Sequence, residues 1–452
     1  MPEKPQLFGT DGVRGIAGRY PLDHDTVVRL GGALGAVLAV ETASRTPQVV
    51  LGRDTRESGP EIVRALAAGL RAAGADVAYA GVITTPGISF LARHHGFAAG
   101  VMVSASHNPF RDNGIKVFSG GGVKLAESVE IEVERGMRKA PCAGISGREL
   151  DAAPELLDEY LDFLSTLAPR GAGFSRLPLV VDCANGSASV VAPKFFSGLG
   201  IEARLLSAAP DSRNINLDCG SLHPEKMAVE TRSSGAYLGV AYDGDADRAI
   251  FATASGRILD GDHVLYGCAP FMKERTELRG EAVVGTLMTN FGLELSLREH
   301  GIGLKRTAVG DKFVFEEMLR SDINLGGEPS GHIIFSSLSP AGDGLVTTLE
   351  MLRVLSETGA SADELVRNYH PLPQLIRNVR VARKLPFESV PEVSNALARC
   401  QDDLGGRGRV VLRYSGTEPL ARVMVEGERA GLVEQHAAAI AAAIERSLGA
   451  PA

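Results

Sequence analysis

The sequence predicts an α/β protein with three similar α/β domains followed by a smaller α+β domain. A short apolar strand, a polar Gly-rich loop, a helix and a Gly-containing turn into a second strand recur three times along the chain. Strand–helix–strand units of this length imply parallel pairing and right-handed crossovers. Residues 371–452 lack this repeat, so they predict a domain of a different kind.

The predicted elements follow from these patterns in chain order. In the three repeats we expect strands at 49–54, 77–80, 179–182, 202–206, 282–285 and 304–307, and helices at 60–71, 190–197 and 293–299. The apolar runs at 98–103 and 236–242 predict two further buried strands. In the last domain we expect strands at 379–385, 409–414 and 420–426, and a closing helix at 430–448.

Gly- and Pro-rich segments suggest where the domains begin and end. Residues 138–148 are rich in Gly and Pro, and two prolines between Tyr369 and Pro373 discourage regular structure. The predicted domains are therefore 1–150, 151–255, 256–370 and 371–452.

Composition limits the class of protein. The 452 residues are 44% hydrophobic and 23% charged and carry a net charge of −8, so we expect no nucleic acid and no membrane as partner. The run from Leu30 to Val40 is too short to span a bilayer. Five cysteines without a C-x-x-C pair indicate reduced thiols, and the N-terminus lacks an apolar signal core, so we expect a cytoplasmic protein.

The most informative stretch is Asp243-Gly-Asp-Ala-Asp-Arg248, which follows a predicted strand. Extended backbone would aim Asp243, Asp245 and Asp247 in the same direction, where a hard cation such as Mg²⁺ or Ca²⁺ would relieve their repulsion. An EF-hand loop would need Gly and Glu where Arg248 and Ala254 stand, so it is excluded. A solvated acidic turn is the alternative.

Residues 104–109, Ser-Ala-Ser-His-Asn-Pro, also follow a predicted strand. A serine hydroxyl at a strand end, beside His107 and Asn108, is placed as a nucleophile or phosphate carrier would be. Lys116, further along, is an acid, a base or a neutraliser of charge. The alternative is a Ser/Asn-rich helix cap or turn.

Three more loops carry polar groups suited to a sugar phosphate. Phe8 to Gly15 places glycines around Arg14, so that backbone N–H groups can approach an anion. Each loop has an ordinary turn or hairpin as its alternative. The polar residues of the other two loops are Glu328, Ser330 and His332 in 326–332, and Arg413, Ser415, Gly416 and Thr417 in 413–417, with Arg422 beyond.

Together these loops resemble those of the α-D-phosphohexomutase superfamily, over nearly the whole chain and in the family's order. The resemblance implies a heart-shaped molecule in which three α/β domains with mixed sheets and a smaller fourth domain surround a central cleft. Segments typical of the phosphoglucosamine mutase branch are 8–15, 104–109, 214–224, 309–312 and 413–427. Pro329 stands where that branch often has Gln, and Ala246 where Gly is common.

The resemblance also implies roles for individual residues. Ser106 would be the phosphorylated serine, and a phosphoserine oxygen together with Asp243, Asp245 and Asp247 would hold one Mg²⁺ per subunit. The remaining roles are catalysis for Arg14, His107, Lys116, Arg248 and His332, sugar binding for Glu328 and Ser330, and binding of the distal phosphate for Arg413, Ser415, Gly416, Thr417 and Arg422.

The implied reaction interconverts glucosamine 6-phosphate and glucosamine 1-phosphate through phospho-Ser106 and a 1,6-bisphosphate. It would supply UDP-N-acetylglucosamine and cell-wall synthesis, with glucosamine 1,6-bisphosphate or glucose 1,6-bisphosphate as intermediate or activator. The branch is commonly a homodimer through its first domain. The alternatives are a phosphomannomutase/phosphoglucomutase, a metal-dependent sugar phosphatase and a catalytically silent sugar-phosphate sensor.

Overall fold

A computed structural model describes residues 5–43, 46–140, 148–169, 177–415 and 419–449. The chain forms two compact units, one of Met1–Thr286 with Lys305–Val366 and the other of Leu287–Leu304 with Arg367–Ala452. Within the described ranges, no helix is both long enough and apolar enough to cross a bilayer.

The first sheet has five strands in the order β1-β5-β4-β2-β3. Its strands are β1 Val13–Ile16, β2 Gln48–Arg53, β3 Asp76–Val82, β4 Ala99–Val103 and β5 Asp112–Ser119, and its helices are α1 His24–Glu41, α2 Gly59–Ala72, α3 Thr85–His94 and α4 Glu127–Met137. Strand β2 pairs parallel with β3 and β4, and β5 pairs antiparallel with β4 and β1. The sheet is therefore mixed, and apolar side chains from its strands and helices form one core.

The second sheet has the order β10-β9-β8-β6-β7 and the same arrangement of strands, except that its antiparallel edge strand comes last in the chain and not first. Its strands are β6 Leu179–Asp182, β7 Ala203–Leu206, β8 Leu238–Tyr242, β9 Ala249–Thr253 and β10 Ile258–Leu259, and the helices of this region are α5 Pro154–Thr166, α6 Ala188–Gly198 and α7 Glu225–Ser234. The pairing is again parallel around β6 and antiparallel from β8 to β9 and from β9 to β10. The parallel pairing predicted for the first two repeats is confirmed.

The third sheet has four strands in the order β12-β11-β13-β14. They are β11 Ala282–Thr286, β12 Gly303–Thr307, β13 Leu325–Gly327 and β14 Ile333–Phe335, and the helices of this region are α8 Gly261–Glu274, α9 Phe291–Glu299, α10 Asp311–Ser321, α11 Gly344–Thr358 and α12 Ala362–Leu365. Strand β13 pairs parallel with β11 and antiparallel with β14, as β4 and β8 do in their sheets. The three similar α/β domains predicted from the sequence are confirmed.

The fourth sheet is smaller and antiparallel, in the order β15-β17-β16. Its strands are β15 Gln374–Arg380, β16 Gly408–Tyr414 and β17 Leu420–Gly427, with helices α13 Pro391–Leu404 and α14 Ala430–Leu448. Ala421, Val423 and Val425 are fully buried on one face of β17, as their alternation predicts. This is the predicted α+β domain.

The strand predicted at 379–385 is wrong in its position. Strand β15 begins earlier, at Gln374, and its pairing with β17 ends at Arg380 opposite Leu420. Beyond that point, the N–H of Val381 bonds to the carbonyl of Pro419, and the N–H of Ala382 bonds to that of Leu448. The available partner strand, and not the local apolar content, therefore sets the end of β15.

Candidate functional site

Three of the predicted loops leave equivalent strands of the three similar sheets. The Ser106 loop follows β4, the Asp243 loop follows β8 and the Glu328 loop follows β13. Each of these strands pairs parallel on one side and antiparallel on the other. Ligands bind at the carboxyl ends of strands in open α/β sheets, and the repeated topology presents three such loops.

Ser106 lies at the start of its loop and is only 1% exposed. Its Oγ donates a hydrogen bond to Oδ2 of Asp243 and lies 3.3 Å from Nδ1 of His107. Its φ of 52° is in the left-handed region, which costs a non-glycine residue about 1–2 kcal/mol. Such a conformation persists only where neighbouring groups hold it.

Two side chains from distant parts of the chain hold this loop. Nη2 of Arg56 donates to the carbonyls of Ser106 and Asn108, both at 2.9 Å. Nδ2 of Asn216 donates to the same two carbonyls at 2.9 and 3.1 Å. Arg56 is fully buried and is paired through Nε with Oδ2 of Asp54 at 3.1 Å. The conformation of the Ser106 loop is therefore fixed from two sides.

The acidic cluster forms, but in a different way from the one expected. Ligand oxygens of Asp243, Asp245 and Asp247 lie within 4.8 Å of one another, and all three residues are buried. The prediction that extended backbone aligns them is wrong, because the loop turns: the N–H of Ala246 bonds to the carbonyl of Asp243, and Ala246 has a φ of 56°. Gly is favoured at such a position, which agrees with Gly being common there in the resembling branch.

The loop also comes very close to the Ser106 loop. A Cβ built on Gly244 would lie 2.5 Å from the carbonyl oxygen of Ser106. Only glycine can therefore stand at this position without moving one of the two loops.

The cluster fits a hard metal ion. Oδ1 of Asp245 and Oδ1 of Asp247 are buried, and neither has a hydrogen-bond partner among the described residues. Burial and the neighbouring Asp247 and Asp245 raise the pKa of Asp243 well above its ordinary value. Buried carboxylate oxygens that lack a proton donor are the ligands that Mg²⁺ and Ca²⁺ prefer.

Lys116 balances part of this negative charge. Its Nζ lies 2.8 Å from Oδ2 of Asp245, 3.0 Å from Oδ2 of Asp247 and 3.3 Å from Oδ2 of Asp11. Burial alone would lower the pKa of Lys116, but the three carboxylates raise it well above its ordinary value. Burial would raise the pKa of Asp247, but the positive charge of Lys116 helps to lower this pKa to about 2.

A cavity of about 450 Å³ brings together predicted residues from several loops. Burial and the positive charges of Arg248 and Arg14 lower the pKa of His107 to about 4.

Oε1 of Glu328 accepts a hydrogen bond from the N–H of Gly310 at 3.0 Å. Ser330 lies in the turn between β13 and β14. The predicted residues that line the cavity are Arg14, His107, Asp247, Arg248, Glu328 and His332.

The predicted phosphate-binding residues belong to the second compact unit. Arg413 on β16 and Arg422 on β17 face each other in register and line a cavity of about 300 Å³ together with Asn378. The N–H of Ser415 bonds to the carbonyl of Leu420 at 2.8 Å. The predictions for Gly416 and Thr417 lie outside the described residues.

Several residues of the site were not predicted from the sequence. Asp11 and Asp311 lie within segments that were singled out, but no role was assigned to either. Arg56 lies in the polar run that follows β2, and Asn216 lies in segment 214–224. Position after a strand or in a loop was therefore a usable signal for both. Lys124, which donates to Asp11 and Asp311, has no such signal.

Known proteins match nearly the whole length of the chain. Models of the phosphoglucomutase/phosphomannomutase domains match along its length: α/β/α domain I at 5–141, domain II at 158–256, domain III at 260–372 and the C-terminal domain at 377–443. The chain belongs to the phosphoglucomutase/phosphomannomutase family. Its relatives are isomerases that transfer a phosphoryl group, and the chain is an enzyme of this class.

Full-length relatives carry a more specific name. The phosphoglucosamine mutase of Koribacter versatilis is 47% identical over 459 residues, which cover 99% of this chain and 98% of the relative. That of Solibacter usitatus is 45% identical over 445 residues, covering 98% and 99%.

Solved structures share the fold. A family member from Burkholderia thailandensis has a TM-score of 0.78 at 24% identity and covers 97% of both chains. The N-acetylphosphoglucosamine mutase of Aspergillus fumigatus, solved with GlcNAc-6P and magnesium, has a TM-score of 0.65 at 18% identity and covers 94% of this chain and 97% of its own.

Proposed function

We propose that this chain interconverts glucosamine 6-phosphate and glucosamine 1-phosphate by way of a phosphorylated Ser106 and a 1,6-bisphosphate. The observation that carries the proposal is the contact of Ser106 Oγ with a buried group of three aspartates. The choice of an amino sugar is supported by the names of the full-length relatives. The reaction would supply UDP-N-acetylglucosamine and cell-wall synthesis.

In this proposal Asp243, Asp245, Asp247 and an oxygen on Ser106 would hold one Mg²⁺. The two buried Oδ1 atoms without partners support this assignment, as does the magnesium reported for the Aspergillus fumigatus relative. When bound, Mg²⁺ supplies positive charge that offsets the negative charge of the transferring phosphoryl group.

The chemical steps balance as two phosphoryl transfers. The O1 hydroxyl of glucosamine 6-phosphate attacks the phosphorus of phospho-Ser106 and gives its proton to His107, and the bond from phosphorus to Oγ breaks. The resulting 1,6-bisphosphate turns around and Oγ attacks the phosphorus of its 6-phosphoryl group. The bond from that phosphorus to O6 breaks, O6 takes the proton back from His107, and glucosamine 1-phosphate leaves. Glucosamine 1,6-bisphosphate, or glucose 1,6-bisphosphate as activator, would restore phospho-Ser106 if the intermediate escapes.

The cationic side chains around Ser106 would stabilise the charge that is transferred. Lys116 and Arg248 are held next to the aspartates, within reach of the group that moves. Arg14 is fixed by the carbonyl of Ala105 at 3.3 Å and by Asp11. His107, with its lowered pKa, is neutral near pH 7 and would exchange a proton at the reacting oxygen.

Other residues would bind the parts of the substrate that do not react. Glu328 and Ser330 would bind sugar hydroxyls, and His332 would assist in the same cavity. The distal phosphate would lie on two arginines and on polar groups of the fourth domain, namely Arg413, Ser415, Gly416, Thr417 and Arg422. The cross-strand pair of arginines supports this role, because paired guanidinium groups suit a phosphate dianion.

A comparison of substrates tests the proposal. The value of kcat/KM would be measured with Mg²⁺ and a bisphosphate activator for glucosamine 6-phosphate, glucose 6-phosphate and mannose 6-phosphate. We expect a preference of at least about tenfold for the glucosamine phosphate, which corresponds to about 1.4 kcal/mol in the transition state. Equal or better use of the other two sugars would instead favour a phosphomannomutase/phosphoglucomutase, and Pro329 would be the first residue to exchange for Gln.

Two further properties are part of the proposal. A homodimer formed through the first domain is supported by the resemblance, and light scattering should give twice the chain mass of 47.6 kDa; a single chain mass would contradict it. A cytoplasmic location is supported by the cysteines, since Cys183, Cys219, Cys268 and Cys400 are free and buried.

A further inference from the structure

Lys124 connects two loops that are far apart in the chain. It follows strand β5, and its Nζ donates to Oδ1 of Asp11 at 2.6 Å, to Oδ1 of Asp311 at 2.7 Å and to the carbonyl of Thr10 at 3.2 Å. Its side chain is 16% exposed, and those of the two aspartates are 25% and 22% exposed. These are short, partly buried ion pairs and not loose surface contacts.

The first carboxylate belongs to the loop that carries Arg14. Oδ2 of Asp11 accepts a hydrogen bond from Nη2 of Arg14 and lies 3.3 Å from Nζ of Lys116. Arg14 in turn contacts the Ser106 loop through Ala105 and Asn108. Asp11 therefore lies on the side of the site where the phosphoryl group is transferred.

The second carboxylate belongs to the loop that supports the sugar-binding residues. Asp311 begins helix α10, and its Oδ2 lies 3.7 Å from Nε2 of His332. The preceding Gly310 donates its N–H to Oε1 of Glu328 at 3.0 Å. A shift of this loop would thus move both Glu328 and His332.

Charge explains why the connection depends on Lys124. Burial lowers the pKa of Lys124, but Asp311 and Asp11 raise it above its ordinary value, so the ammonium group stays charged. Without it, the two carboxylates would face each other and repel. Thr10, Asp11, Gly310 and Asp311 all line the 450 Å³ cavity, so a separation of the two loops would widen the site.

We propose that Lys124 is a positioning residue that sets the distance between the phosphoryl-transfer side and the sugar-binding side of the cavity. This inference rests on the proposed function and deepens it, because it assigns the alignment of the sugar to one ammonium group. Lys124 acts through Asp11 and Asp311. The contacts of Ser106 with Asp243 and of Lys116 with Asp245 do not involve Lys124.

The test compares Lys124→Met with a matched lysine variant. Lys194→Met is the control, because Lys194 makes an exposed ion pair with Asp158. For Lys124→Met we expect KM for glucosamine 6-phosphate to rise about tenfold while kcat falls less than threefold. The control should keep both values, and Lys124→Arg, which restores the charge and two donors, should recover most of the loss in KM.

A double variant distinguishes positioning from a general loss of stability. The double variant combines Lys124→Met with Asp311→Asn. If Lys124 acts through Asp311, the factor by which KM rises in the double variant should be smaller than the product of the factors in the two single variants. A folded Lys124→Met enzyme with the wild-type KM would overturn the proposal, and so would effects that simply multiply. Lys124→Gln, which keeps N–H donors but not the charge, replaces the methionine variant if that variant does not fold; its KM should also rise, and a wild-type KM would overturn the proposal.

Direct binding separates this proposal from the proposed function. Titration calorimetry with glucosamine 6-phosphate gives Kd without turnover when Ser106→Ala is introduced into both the otherwise wild-type and the Lys124→Met enzyme. If the wild-type enzyme binds the sugar phosphate but does not isomerise it, the proposed function fails, and a Kd raised about tenfold in Lys124→Met still supports the role of Lys124. An unchanged Kd refutes that role whatever the activity.

Discussion

Replacement of Asn216 by glycine tests whether the conformation of the Ser106 loop matters for the reaction. Asn216 has a φ of 57°, and glycine adopts this conformation without strain, so Asn216→Gly removes the amide but keeps the backbone. The amide donates hydrogen bonds of 2.9 and 3.1 Å to the carbonyls of Ser106 and Asn108. The second support of the loop, Arg56, remains in place.

The expected size of the effect follows from these two bonds. A hydrogen bond of this kind contributes about 0.5–1.5 kcal/mol, so the loop loses about 1–3 kcal/mol of support. Because each 1.4 kcal/mol corresponds to a factor of about ten, we expect kcat to fall by about fivefold to 150-fold. KM should change less than about threefold, because the residues assigned to sugar binding are untouched.

The assay is steady-state turnover of glucosamine 6-phosphate with Asp218→Gly as control. Asp218 lies in the same loop, is exposed and also has a positive φ of 50°, so its exchange for glycine changes the backbone entropy in the same way. Retention of the wild-type kcat in Asn216→Gly would refute the idea that the amide positions Ser106. An equal loss in Asp218→Gly would also refute it, because the cause would then be loop flexibility.

Three further results are expected. Ser106→Ala should abolish turnover and show no added phosphate by intact mass, whereas retained mutase activity would contradict the role of Ser106. A Cβ at Gly342 would lie 2.3 Å from the buried ring of His332, so Gly342→Ala should displace this ring. We expect kcat/KM to fall by about tenfold with little change in Tm. An unchanged kcat/KM would show that His332 is not needed in its present position. Burial raises the pKa of Asp343 to about 6. The protonated carboxyl therefore contributes fully to the free energy of unfolding below about pH 4, and this contribution is lost as the pH rises through 6. Relative to Asp343→Asn, the unfolding free energy of the wild type should therefore fall by about 3 kcal/mol between about pH 4 and pH 7, and guanidinium unfolding that shows a constant difference would contradict this.

The repeated α/β units could be predicted because the signal is local. Each buried strand is a run of apolar residues, and each polar Gly-rich loop follows such a run directly. The closing helix was predicted at 430–448, where α14 lies, because its apolar residues recur at helical spacing. Strand β15 was misplaced because it is mostly exposed and polar, so its bounds depend on pairing with β17.

The chemistry of the site was also visible in short motifs, but its supports were not. Ser106 and the three aspartates stand at strand ends with recognisable neighbours. Arg56, Asn216 and Lys124 act on residues that are 50 or more positions away in the chain. A single polar side chain has no periodicity, so only the fold shows which distant loop it holds.

The route of the phosphoryl group tests the central proposal most directly. Enzyme carrying labelled phosphate on Ser106, confirmed by intact mass, would be mixed with glucosamine 6-phosphate in a single turnover. The label should appear in glucosamine 1,6-bisphosphate and then in glucosamine 1-phosphate, and the Ser106→Ala enzyme should carry no label. Release of the label as inorganic phosphate would contradict the mutase reaction and identify a phosphatase.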